Sequence, residues 1–232
     1  MIDYNCFTGS WPFHKIRRNS FSDIKKLHEK YGVETAYISK IESIFYNDPY
    51  ESELELYEEI KGTGYKQVMT VNPTLDIAEN IVKRAIKELD IKGVRILPGY
   101  HGFSLFDDCV TNLVKILKEN NLPLFINSHL EDERVSYLIH PVGTSIEEIG
   151  KFIKENKDIE IQLCTIGFRE ITLIKDAVLE CDNVYFDTSG FKDKLFAMPG
   201  IREEGLSHKA RFGSMAPLFC FESSYLIYNE ED

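Results

Sequence analysis

The chain has 232 residues, 43% hydrophobic and 12% aromatic, which is ample for one packed core and unlike a disordered chain. Its 38 acidic residues outnumber the 27 basic ones, for a net charge of -11, a balance that repels nucleic acid and anionic membrane surfaces, and no stretch has the length and apolarity of a membrane span or a leader. The five cysteines are widely spaced and never form a C-x-x-C pair, so neither a disulfide framework nor a zinc knuckle is indicated and a reducing, cytoplasmic setting is expected.

The first strand is read over 2–7, "IDYNCF", and runs into a glycine bend. Asn5 and Phe7 stand two apart and project to one side of it, and the loop beyond brings Trp11 and His14. A helix over 20–31 leads to a strand over 35–41. A helix over 52–61, stopped by "GTG", leads to a strand over 66–72. Next come a helix over 75–89 and a strand over 93–98, which carries Arg95 and is followed by Tyr100 and His101. The helix over 104–120 precedes the strand over 123–128, which carries Asn127 and leads to His129 and the charged run "LEDER" with Arg134. A helix over 145–156 opens on the capping-box pair Ser145 and Glu148. A strand over 159–165, a helix over 170–180 just past Arg169, and a strand over 183–188 ending near Asp187 follow. The weaker connection 191–209 leads to a last strand over 210–214.

Strands alternating with helices imply parallel β-α-β units, and eight of them close a (β/α)₈ TIM barrel, here a single α/β domain over 1–232. After the last strand, "PLFCFESSYLIYNEED" has room for one short amphipathic segment, so the closing helix is expected to be short or missing. That would leave apolar strand surface for another segment or a second copy to cover, hence an expected homo-oligomer.

In barrels of this kind the chemistry sits at the carboxyl ends of the strands. His129, His101 and His14 are the candidate general bases, because histidine is the side chain that titrates near neutrality. Asp187 is the acid of most interest, since a carboxylate at a barrel mouth must be paired, hydrated or protonated. Arg134 and Arg169 offer guanidinium forks to a carboxylate, although ion pairing within "LEDER" is the default for Arg134. Asn5 and Asn127 either orient a ligand or bond to one another or to water inside a filled mouth. Cys6 and Cys164 lie in strands and are read as buried, inert thiols.

The order of "IDYNCFTG", "IKGVRILPGYHGF", "NLPLFINSH", "IQLCTIG", "NVYFDTSG" and "RFGSMAP" resembles the amidohydrolase superfamily, in its amidohydrolase-related branch of hydrolases, lactonases and decarboxylases. The resemblance implies metal ligands at Asn5, Phe7, Asn127, Thr165 and Met215. None is a good zinc ligand, so no metal and no other cofactor is expected. The leading expectation is a hydrolase that works without metal, lactonase-like, on a small carboxylated molecule. His129 or Asp187 would activate water, and Asn5, Trp11, His14, His101, Asn127, Arg134 and Arg169 would form the binding site. The alternative is a catalytically inactive binding or assembly protein on the same scaffold. A metalloenzyme with unfamiliar ligands requires His101, His129 and Asp187 to converge.

Overall fold

The structure, a computed structural model, describes residues 1–131, 143–193 and 195–229. In chain order the elements are β1 (Ile2–Thr8), α1 (Phe21–Lys30), β2 (Thr35–Lys40), α2 (Tyr50–Ile60), β3 (Lys66–Gln67), β4 (Met69–Thr70), α3 (Ala78–Glu88) and β5 (Val94–Ile96). They continue with α4 (Pro98–His101), α5 (Asp108–Glu119), β6 (Leu124–Asn127), α6 (Ile146–Glu155), β7 (Ile161–Cys164), α7 (Phe168–Leu173), α8 (Lys175–Leu179), β8 (Val184–Asp187), α9 (Ala197–Glu203), β9 (Ala210–Arg211) and α10 (Phe221–Tyr228).

Every ladder is parallel, in the orders β1-β2-β3 and β4-β5-β6-β7-β8-β9. The two sheets are one wall. β3 and β4 form a single stave interrupted at Val68, whose N–H still donates to the Ile38 carbonyl at 2.8 Å while Met69 donates to Gly93 at 3.1 Å. At the other seam Tyr4 donates to the Phe212 carbonyl at 2.8 Å and Met215 to that of Asn5 at 2.6 Å. Eight staves therefore close into a barrel, as the strand–helix alternation predicts.

Departures from the expected spans have local causes. The fourth strand stops at Ile96 because Pro98, with no N–H for a ladder, serves as the first residue of α4. The helix expected over 170–180 is two short helices meeting at Ile174. The weak 191–209 connection holds α9. Ser145 caps α6 by accepting from the Glu148 amide at 3.3 Å, but Glu148 turns its carboxylate to the entry of α5, accepting from Ser104 and from the Leu105 amide.

Apolar helix faces cover the outer side of the staves. The largest cluster lies between α3, α5, α6, α8 and strands β4 to β8, and a second joins α1, α2 and α10 to β1 and β2. α10 has eight residues and still closes the ring, because Phe221 and Tyr225 pack on Tyr31 and Phe212. The barrel interior is also filled. At its lower end the Arg211 guanidinium lies 3.5 Å from the Tyr185 ring centre and 4.4 Å from that of Tyr4, and Val68, Phe125 and Cys164 pack above it.

Close approach makes one glycine irreplaceable. A Cβ on Gly190 would fall 2.4 Å from the backbone oxygen of Ile166. Since the buried backbone just beyond β7 cannot swing aside as a side chain would, Gly190→Ala is expected to lower unfolding stability by about 1–3 kcal/mol in urea titration.

Candidate functional site

The upper end of the barrel is closed by a buried polar network built on one arginine. Arg95 comes from the middle of β5 and is 0% exposed. Its Nη1 donates to Oδ1 of Asn5 at 2.7 Å and to Oδ1 of Asn127 at 2.5 Å, and its Nε donates to Ser39 Oγ at 2.9 Å. The guanidinium carbon lies 4.5 Å from the ring centre of Phe7. The amide nitrogen of Asn5 reaches Thr165 Oγ1 at 3.1 Å and Met215 Sδ at 3.4 Å, and that of Asn127 reaches the same hydroxyl at 3.3 Å. An apolar plug of Phe7, Trp11, Ile41, Leu97, Leu130 and Met215 lies over this network.

The five positions that the resemblance implies as metal ligands thus do converge, four of them as mutual hydrogen-bond partners and Phe7 through its ring face, around the guanidinium of Arg95. They include no imidazole or carboxylate, and both amide oxygens are committed to Arg95. That donor set does not fit a divalent ion. Thr165 and Met215 hold φ of 57° and 54°, so two non-glycine residues at stave ends take the strained left-handed conformation that aims them into the network.

Asp187 belongs to this buried layer. Its carboxylate, 0% exposed, accepts from the Ser189 amide at 2.8 Å and the Ser189 hydroxyl at 2.5 Å. Burial pushes its pKa up against the pull of those hydrogen bonds. The Cys164 thiol interacts with both Asp187 and Arg95, and burial raises its pKa well above the usual thiol range.

Beside the axis, a cavity of about 580 Å³ opens between the loops that follow β6, β7 and β8. His129, the basic Arg169 and Lys192, the acidic Glu131, Glu170 and Asp193, the rings of Phe168 and Phe196, and Thr165 line it. His129 Nε2 lies 2.8 Å from Glu170 Oε1. Glu170 stands at the first turn of α7, and its other oxygen accepts from the Gly167 amide at 2.7 Å. Burial works to raise the Glu170 pKa, but the His129 and Gly167 hydrogen bonds and the Lys192 charge outweigh it and hold the carboxyl below its usual range. An ionised Glu170 accepts the Nε2 proton, which leaves the lone pair of the neutral imidazole on Nδ1.

The remaining candidates are dispersed. His101 is bound through Nε2 to the Ile44 carbonyl at 2.8 Å, and burial lowers its pKa. His14 is exposed beside Trp11, which is 5% exposed within the plug. Arg134 lies outside the described residues. His101, His129 and Asp187 hold different partners and do not converge. Among the described residues, a group with metal-ligand spacing is Asp3, Cys6 and His28, in the layer beneath α1. There Asp3 Oδ2 lies 3.2 Å from His28 Nε2, while Oδ1 accepts from the Asn5 and Ser214 amides.

Glu170 and Lys192 were not among the sequence candidates, and Arg95 was noted only as a strand residue. Each left a trace. A lone arginine inside the apolar run "GVRILP" must find buried partners, and Glu170, three residues beyond Gly167, is placed for its carboxylate to fold back on the helix start.

No protein-family model and no curated protein matches the chain. Solved structures do. The 2,6-dihydroxybenzoate decarboxylase from Rhizobium superposes with a TM-score of 0.70 at 13% identity, over 99% of this chain and 93% of that one. The 5-carboxyvanillate decarboxylase from Novosphingobium aromaticivorans, solved with manganese and 4-hydroxy-3-methoxy-5-nitrobenzoic acid, gives a TM-score of 0.70 at 11% identity, over 100% and 90%. A Bordetella bronchiseptica TIM-barrel protein gives 0.67 at 14%, over 97% and 89%. Among the described residues no helix is long and apolar enough to cross a membrane. By its fold, the chain is a TIM barrel that superposes on these two decarboxylases and on the Bordetella protein.

Proposed function

We propose that the protein binds a small carboxylated molecule in the lateral cavity and hydrolyses a reactive ester in it, a lactone being the best fit, with His129 as general base. The observation that carries this reading is the 2.8 Å His129–Glu170 pair on the wall of a 580 Å³ cavity that also bears Arg169 and Lys192. Glu170 holds the imidazole in one tautomer, and the basic side chains supply positive charge for a carboxylate or a developing oxyanion. In the reaction His129 takes a proton from water, and the water oxygen bonds to the acyl carbon. The acyl–oxygen bond breaks, and the proton passes to the departing alkoxide, giving a hydroxy acid. An alkoxide leaves more readily than an amine, so a lactone demands less electrophilic assistance than an amide.

The neighbours with decarboxylase names, one of them solved with 2,6-dihydroxybenzoate, lend support for a carboxylated ligand of aromatic size. The filled barrel axis favours a second reading, in which the cavity binds without turnover.

The test is a panel of carboxylated lactones, their methyl esters and hydroxybenzoates, assayed for binding and hydrolysis with EDTA present. The expected result is turnover of a carboxylated lactone, with KM raised about tenfold or more by Arg169→Gln and kcat little changed, the signature of a lost ligand contact. Binding without turnover would establish the second reading. No binding across the panel would overturn both.

A further inference from the structure

We propose that the Arg95 guanidinium is the cation around which the upper barrel is organised, and that its presence keeps divalent ions out. The inference does not depend on the reaction proposed for the lateral cavity.

Three observations carry it. The first is connectivity. From β5, Arg95 reaches Asn5 on β1, Ser39 on β2 and Asn127 on β6, and Ser39 in turn donates to the Val68 carbonyl at 2.7 Å. One side chain thus ties together five of the eight staves, a cross-bracing role that a multidentate ion fills elsewhere. The second is orientation. Asn5 and Asn127 both turn Oδ1, the negative end of the amide dipole, toward the guanidinium, and both turn Nδ2 toward Thr165. Two independent amides solve the same electrostatic problem in the same way, as ligands around a fixed positive charge do.

The third is charge balance. Arg95 is fully buried, and a buried charge persists only with compensating partners. Its compensation comes from the two amide oxygens, the Ser39 hydroxyl oxygen and the Phe7 ring face at 4.5 Å. A divalent ion taking the same two oxygens would lie within a few ångströms of the guanidinium, without water to screen the repulsion. No imidazole or carboxylate at the five converging positions offsets it.

The test begins with the protein as it is. After purification without added metal, elemental analysis is expected to find no stoichiometric zinc, manganese, iron, cobalt or nickel. The melting temperature should stay within about 1 °C on adding EDTA, zinc or manganese, since a ligand that binds only the folded state would raise it. One ion per chain together with a fall in melting temperature on chelation would overturn the proposal.

Variants then separate charge from shape. Arg95→Met strands the two buried amide oxygens, and is expected to lower the melting temperature by about 10 °C. Arg95→Lys keeps the charge without the fork and should recover part of that loss. The double variant Asn5→His with Asn127→His should stay free of zinc while Arg95 is present. Stoichiometric zinc in that double variant, or Arg95→Met melting at or above the wild type, would show that the arginine is neither the brace nor the barrier. If Arg95→Met does not fold, the wild-type metal analysis and the Arg95→Lys comparison still decide.

Discussion

Replacing His129 with asparagine is expected to lower turnover of a carboxylated lactone by about 10²–10⁴-fold, the range typical of a positioned general base. The fall should appear in kcat, because the imidazole acts as charge develops in the transition state, whereas ligand affinity measured directly should stay close to wild type. Glu170→Gln should cost about 10–100-fold through loss of tautomer control, since the side chain keeps its place at the start of α7 while the acceptor for the His129 Nε2 proton becomes a neutral amide. Gly143 offers a third handle. A Cβ there would come within 2.4 Å of His129 Cε1 and 2.6 Å of Nδ1, so Gly143→Ala must push the ring aside without removing it. If His129 is the base, Gly143→Ala should lose activity while retaining fold and ligand binding. Wild-type turnover in His129→Asn would remove the imidazole from the mechanism.

The second large effect concerns stability. Glu53 on α2 is 0% exposed, and its carboxyl oxygens accept from Gln67 Nε2 at 2.7 Å and from the Thr70 amide at 3.1 Å, so it spans the break at Val68 between β3 and β4. Burial raises its pKa from 4.5 to about 7, against the opposing pull of hydrogen bonds from Ser43, Gln67 and Thr70 and the charge of Lys40. The folded state therefore keeps a proton that the unfolded chain gives up above about pH 4.5. Unfolding releases that proton between about pH 4.5 and pH 7, and stability falls as pH rises through this window and then levels off. At 1.36 kcal/mol per pH unit, a gap of about 2.5 units makes the loss about 3 kcal/mol. Urea titration of the wild type and of Glu53→Gln at pH 5 and pH 7.5 checks it. The variant should show a decline smaller by about 2–2.5 kcal/mol, since part of the loss lies below pH 5. Parallel pH profiles for the two proteins would refute the assignment.

Both effects arise from side chains far apart in sequence, and that separates what was legible in the chain from what was not. The alternation of short β-branched runs with capped amphipathic segments predicts the eight staves in order. That Asn5, Phe7, Asn127, Thr165 and Met215 carry no imidazole or carboxylate is also legible without coordinates. The sequence left open whether Asn5 and Asn127 serve a ligand or one another, and the structure gives both to Arg95, across 90 and 32 positions of chain. His129 was recognisable as a histidine at a strand end, but its partner was not, since Glu170 lies 41 residues later on a different β-α unit. Asp187, a candidate base by position, is enclosed by Ser189 and Thr165.

The sequence by itself determined the barrel, because hydrophobic periodicity, caps and turns act over a few residues and each is written locally. Only the tertiary structure decided where the open space lies, which charges are buried and what neutralises them. Barrel closure brings together the ends of staves that the chain separates by tens of residues, and the energies of a cavity, a hydrogen bond or a buried ion depend on that distance in space and not on distance along the chain.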